Sequence, residues 1–184
     1  MTAAELLRAT VSLLDDAAIP HMLAGSVASS FHGEPRSTQA IDLVIDPDER
    51  SLTRFLDHLD RHRYFVDDAM DALRHRGQFN VIDTMTGWKV DLVIRKERSF
   101  SREEFARRRS VEVLGLATYI ASAEDTVLAK LEWAKAGGSE RQIEDVVGVL
   151  SMAQGSLDED YLDHWAAELG VTDLLDRARS LSDQ

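Results

Sequence analysis

Apolar and polar positions along this chain follow two periods, and the change from one to the other marks its organisation. Leu7, Val11, Leu14 and Ala18 recur at helical spacing behind a Thr2-x-x-Glu5 capping box. That predicts an amphipathic helix from Thr2 to about Ala18, ended by Pro20. A short apolar piece, His21 to Ala24, leads through Gly25-Ser26 into a second helix to about His32, which Gly33-Glu34-Pro35 breaks. Ala40 to Ile45 reads as a strand closed by Asp46-Pro47-Asp48, and a helix from about Glu49 to Arg61 follows. Phe79–Asp83 and Trp88–Ile94 read as two further strands around a Thr84-Met85-Thr86-Gly87 hairpin loop. In the second, Val90, Leu92 and Ile94 share one face while Lys89, Asp91 and Val93 share the other.

From Ser122 onward the pattern is wholly helical. One helix is expected over about Ala123–Ala136, stopped by Gly137-Gly138. Ser139 and Gln142 form a second capping box, and Ile143, Val146, Val147 and Leu150 give the next helix a buried stripe. Shorter helices follow around Glu159–Leu169 and Asp173–Leu181. The expectation is an α+β protein: a mixed sheet flanked by helices over residues 1–120, then a helical lobe over residues 121–184.

Composition narrows the classes. The 184 residues hold 21 basic and 33 acidic side chains, a net charge of −12, which argues against a general nucleic-acid coat or a basic membrane-surface protein. Cysteine is absent, so disulfides, thiolate metal sites and thiol nucleophiles are excluded. Charged residues interrupt the N-terminal segment, and the longest apolar run, Val113 to Ala123, is too short to cross a bilayer. A cytoplasmic protein without membrane partners is expected. Charge is uneven, however: Arg95 to Arg109 contains seven basic and three acidic residues. That segment is either a local contact for an anionic partner or a solvated face.

Four features carry candidate chemistry. Gly25-Ser26, between an apolar strand and a helix, makes a phosphate-receptive bend, though the same step also serves as an ordinary turn and cap. Asp42 in AIDLVI and Asp91 in KVDLVI place carboxylates inside apolar strands, which is costly unless each meets a cation or several donors. Two such strands side by side could present both acids to Mg²⁺; acids solvated or arginine-paired at strand ends are the competing reading. Lys130 shares a helical face with Val127, Leu131 and Ala134, so its ammonium emerges from an apolar surface toward an anion or simply snorkels to water. Asp145 flanks its own helix's apolar stripe, as an organising acid or a plain exposed one. His58 and His62 lack the Glu of an H-E-x-x-H motif, and no P-loop, nucleophile elbow or dinucleotide fingerprint is present.

Taken together, G-S, then R-S-T-Q-A-I-D-L-V-I, then K-V-D-L-V-I resembles the nucleotidyltransferase superfamily that includes polymerase β. With E-D-T-V-L-A-K-L-E-W at Glu124–Trp133 and S-E-R-Q-I-E-D-V-V at Ser139–Val147, the chain is similar to small bacterial nucleotidyltransferases of the AbiEii toxin type. The resemblance implies a nucleotidyltransferase-type fold and transfer of a nucleoside monophosphate from an NTP to a hydroxyl. Gly25, Ser26 and Lys130 would contact the triphosphate, with Arg36 and Thr38 adding phosphate or structural contacts. Asp42 and Asp91 would bind Mg²⁺ in a two-metal site, and Asp145 would organise the site around Lys130. The acceptor would be RNA, such as tRNA, reached through Arg95–Arg109, or a small molecule such as an aminoglycoside; a cognate antitoxin would be a partner. One residue departs from the pattern: Ala40 stands where the first acid of D-x-D belongs. Losing that shared ligand weakens the metal beside the nucleophile most, so low activity is expected. A natural binding-only descendant and a deliberate Asp-to-Ala replacement both fit this residue.

Overall fold

The computed structural model describes residues 2–35 and 40–183, and the chain divides into two compact units. The first unit comprises Met1–Ala24 and Thr38–Ile120. Its strands are β1 (His21–Ala24), β2 (Ala40–Ile45), β3 (Tyr64–Val66), β4 (Gln78–Asp83), β5 (Lys89–Ile94), β6 (Arg109–Val113) and β7 (Leu116–Ile120). They form one sheet in the order β3-β4-β5-β2-β1-β7-β6. The sheet is mixed as expected, because β2 pairs with β5, and β1 with β7, in parallel, while the other neighbours are antiparallel.

Alternation explains the two central strands. Ile41, Leu43 and Ile45 of β2 and Val90, Leu92 and Ile94 of β5 are buried on one face. Each such side chain contributes about 1.5–3 kcal/mol by leaving water. Helix α1 (Ala3–Asp16) packs on β5, and its Thr2–Glu5 capping box is present in both directions. Its buried stripe differs from the expected one at the end. The chain leaves the helix at Ala17, Ala18 adopts φ 57° and is exposed, and Ala17 and Leu6 are buried instead.

Several elements of the first unit go beyond the sequence reading. Beside the expected α3 (Glu49–His58) stand β3, α4 (Ala69–His75), α5 (Ser99–Ala106) and the β6–β7 hairpin. The hairpin turns on two residues, Leu114 and Gly115, both at positive φ (53° and 71°), which matches the strand twist. Arg8 Nη2 donates to the Leu114 carbonyl at 3.2 Å and helps hold the turn. The longest apolar run of the sequence is thus largely the return strand of this hairpin.

Asp83, at the end of β4, is fully buried. Burial pushes its carboxyl up, but the Met85 amide, the Thr86 hydroxyl and the Arg63 guanidinium together prevail and hold it below its ordinary value. The Met85 N–H donates to Oδ1 at 2.9 Å and Arg63 Nη2 to Oδ2 at 3.4 Å. A depressed folded value means the stabilisation is present above about pH 4, the unfolded value, and is lost as pH falls through the folded one. The urea midpoint of Asp83→Asn should therefore lie below that of the parent at pH 7, with the gap closing in acid below about pH 4. A gap that stays constant between pH 7 and pH 3 would assign the effect to packing instead.

The second unit comprises Gly25–Ser37 and Ala121–Gln184. It holds α2 (Gly25–His32), α6 (Ala123–Gly137), α7 (Glu140–Met152), α8 (Glu159–Leu169) and α9 (Thr172–Ser182). Where the sequence puts residues 25–37 with the sheet, the contacts put α2 against α6 and α7. The Ser122 hydroxyl caps α6 by accepting from the Asp125 N–H, and Gly138 ends it at φ 62°. The second expected capping box does not form: Ser139 makes no side-chain cap bond, and Gln142 turns its amide oxygen to Lys130 instead. Gly33 lies against the α7 backbone, where an added Cβ would stand 2.8 Å from Gly148 C and Val149 N. Among the described residues no helix is long and apolar enough to cross a membrane.

Candidate active site

In the first unit, the unburied faces of the central strands line up their polar residues. The register pairs Asp42 with Asp91 across β2 and β5, Ala24 with Asp42 across β1 and β2, and Asn80 with Asp91 across β4 and β5. Ala24, Asp42, Asp91 and Asn80 thus form one transverse row. Strand alternation puts them on one face, because their neighbours Ile41, Leu43, Val90 and Leu92 fill the core. The two acids come from unrelated parts of the chain and stand as direct neighbours.

Asp91 is 14% exposed and its carboxylate is held by Lys89, whose Nζ lies 3.1 Å from both oxygens. Lys89 is itself the register partner of Ala40. Asn80 adds an amide whose Oδ1 is buried without a hydrogen-bond partner among the described residues. Neither Asn80 nor the role of Lys89 follows from the sequence reading. A polar residue inside QFNVID is the available signal for Asn80, by the same logic that singles out Asp42.

Mg²⁺ commonly takes one or two protein carboxylates and completes its shell with water and substrate phosphates. Asp42 and Asp91 meet that requirement in kind and number. Among the described residues no group of three or more metal-ligating side chains exists. The pair therefore suits an ion that arrives with phosphate oxygens better than a self-sufficient cage.

In the second unit, α2 opens on Gly25 at φ 55°, a backbone conformation that favours glycine, followed by Ser26. Arg36 and Thr38, expected to add phosphate contacts, lie outside the described residues. On α6, Lys130 emerges from the apolar face and meets two partners of α7. Its Nζ lies 2.6 Å from Asp145 Oδ2 and 3.0 Å from Gln142 Oε1. The side chains of Lys130 and Asp145 are only 5% and 6% exposed. Lys130 is thus buried and held, not a surface lysine. Gln142 and Asp145 stand three apart on α7, so one turn delivers both.

The basic segment Arg95–Arg109 is spread over the end of β5, α5 and the start of β6, and much of it is already engaged. Arg95 Nε lies 2.9 Å from Asp46 Oδ2 and Nη2 3.1 Å from Glu97 Oε1. Burial works against the charge of Arg95, but Asp46 and Glu97 outweigh it and hold the guanidinium above its ordinary value. Arg98 donates to Ser101 Oγ, Arg102 pairs with Glu97, and Arg108 stacks between the Phe105 and Tyr119 rings.

No protein-family model matches this sequence, and no curated protein does. Solved structures do. The antibiotic-resistance factor ANT(2″)-Ia superposes with a TM-score of 0.61 at 14% identity, over 98% of this chain and 95% of that one. An antigenic nucleotidyltransferase-like protein from Paracoccidioides brasiliensis gives 0.58 at 18% identity, over 96% and 91%. The lincosamide antibiotic adenylyltransferase LnuA gives 0.54 at 11% identity, over 79% and 95%. The chain has a nucleotidyltransferase fold.

Proposed function

We propose that this protein transfers a nucleoside monophosphate from an NTP to a hydroxyl of a small-molecule acceptor. The observation that carries the reading is the in-register pair Asp42–Asp91 on adjacent parallel strands of a nucleotidyltransferase fold. Asp42 and Asp91 would hold Mg²⁺, which supplies neutralisation of phosphate charge when bound. Gly25 and Ser26 would receive phosphate oxygens through the N-terminal amides of α2. Lys130, held in place by Asp145 and Gln142, would add a positive charge for the triphosphate. Asp91 would orient the attacking hydroxyl. Positioning and charge neutralisation supply most of the catalysis in such transfers.

Two considerations favour a small acceptor over RNA. The net charge of −12 repels polyanions, and at least four cations of the Arg95–Arg109 segment are engaged within the first unit. The structural neighbours include a lincosamide adenylyltransferase bound to lincomycin and ANT(2″)-Ia in complex with adenylyl-2″-tobramycin. An RNA acceptor, with the toxin–antitoxin setting it would bring, is the alternative outcome of the same assay.

A second reading has its own observation. Ala40 removes one acid, and the Lys89 ammonium sits on another, a combination that suits a nucleotide-binding module without catalysis. The test uses α-labelled NTPs with Mg²⁺, offered tobramycin, lincomycin and total RNA, for the chain and for Ala40→Asp. Ala40→Asp should transfer label about 10–100-fold faster than the parent, since weakening a metal site typically costs that much. Asp91→Asn should erase that gain. Label in RNA alone would replace the small-molecule reading. Mg²⁺-dependent nucleotide binding with no transfer by Ala40→Asp would leave only the binding module.

A further inference from the structure

We infer that Lys89 is a built-in cation of this site: it supplies at Asp91 the positive charge that a second divalent ion would otherwise supply. This rests on the nucleotide-handling reading above and concerns how many ions the site takes. The register carries the argument. Ala40 and Lys89 are direct partners at the start of two parallel strands, and Asp42 and Asp91 are partners two residues further on. The position that lacks a carboxylate is therefore the backbone partner of a lysine. The ammonium of that lysine is not idle, since it lies 3.1 Å from each oxygen of Asp91.

Charge makes the pairing coherent. A site with three acids carries three negative charges and needs two divalent ions to offset them. Asp42, Asp91 and Lys89 together carry one, which a single divalent ion arriving on the nucleotide's phosphates more than offsets. Lys89 also competes with any ion for Asp91, because its positive charge repels a cation approaching the carboxylate and its ammonium already occupies one lone-pair position on each oxygen. The lysine is 45% exposed, so its side chain can be changed without opening the core. Its aliphatic stem and charge, not burial, define its role.

The test counts ions and does not need turnover. Mn²⁺ binding is measured by electron paramagnetic resonance, with and without a non-hydrolysable ATP analogue, on the parent, Lys89→Met, Ala40→Asp and the double variant. Circular dichroism melts verify that each is folded. The parent should hold one Mn²⁺ with the analogue and bind Mn²⁺ weakly without it. Lys89→Met should bind free Mn²⁺ about ten-fold more tightly or better, since a charge in contact with a carboxylate is removed. The double variant should hold two ions. Equal Mn²⁺ affinity in parent and Lys89→Met, while Ala40→Asp gains an ion, would overturn the role of Lys89 and leave the nucleotidyl-transfer reading standing. No Mn²⁺ bound by the double variant would overturn both.

Discussion

Lys130→Ala is expected to lower the free energy of unfolding by about 3–5 kcal/mol, the cost of stripping one partner from a buried ion pair. At this chain length that corresponds to a fall in Tm of roughly 6–20 °C. The reasoning is local to the second unit. Lys130 and Asp145 are 5% and 6% exposed and 2.6 Å apart, so neither screening nor water offsets the loss. Without the ammonium, Asp145 loses its 2.6 Å ion-pair partner at a side chain that is only 6% exposed. Lys130→Met combined with Asp145→Leu removes both charges and keeps the volume, and should recover most of the stability. Urea and thermal unfolding followed by circular dichroism measure both effects. A loss under about 1 kcal/mol for Lys130→Ala would place the pair among weak, solvated surface contacts. Nucleotide affinity, measured separately by calorimetry on the stable double variant, then reports whether the lysine also serves the triphosphate.

Gly33→Ala ranks second. The new methyl would meet Gly148 C and Val149 N at 2.8 Å and Ser29 O at 3.0 Å. All three obstacles are backbone, so α2 and α7 must separate, since no side chain can rotate away. Overpacking of a filled interior costs about 1–3 kcal/mol, and a rigid obstruction belongs at the upper end. The facing glycine supplies a control. A Cβ on Gly148 would find its nearest neighbour, the Glu34 N, at 3.6 Å, an ordinary contact, and alanine is the better helix former by about 1 kcal/mol. Gly148→Ala should therefore be neutral or stabilising. Equal destabilisation by the two variants would show that helix propensity and local space are not what separates them.

The relation of sequence to structure is clear at individual residues. Asp42 and Asp91 are legible as a pair because AIDLVI and KVDLVI share one alternation, and equal patterns suit neighbouring parallel strands. Lys130 is legible as special because a cation sits amid an apolar helical face, although its partners lie on another helix that only tertiary packing brings near. What escapes is short or half-exposed. Tyr64–Val66 is three residues long, and Arg109–Val113 alternates too weakly to read as a strand. The turn at Leu114 puts a branched side chain at φ 53°, against the usual preference for glycine or asparagine. Ser139 carries the right residue for a cap, but its box partner Gln142 is drawn to Lys130. Gly33 and Gly148 look like unrelated breakers until packing sets them against each other.

The second unit is built from two stretches of chain that are far apart in order. Helix α2 ends at His32, and its packing partner α6 does not begin until Ala123. During synthesis at roughly 5–20 residues per second, α2 therefore waits on the order of several seconds before the helices it packs against have been made. Cutting the chain after Ile120 would not release a finished sheet domain and a finished helical one. It would strand Ala28, Ser29 and the bare backbone of Gly33 on the wrong fragment. The helical unit thus forms only once α6 and α7 have been made, and shortened chains ending before α7 should be caught by proteases at α2 first.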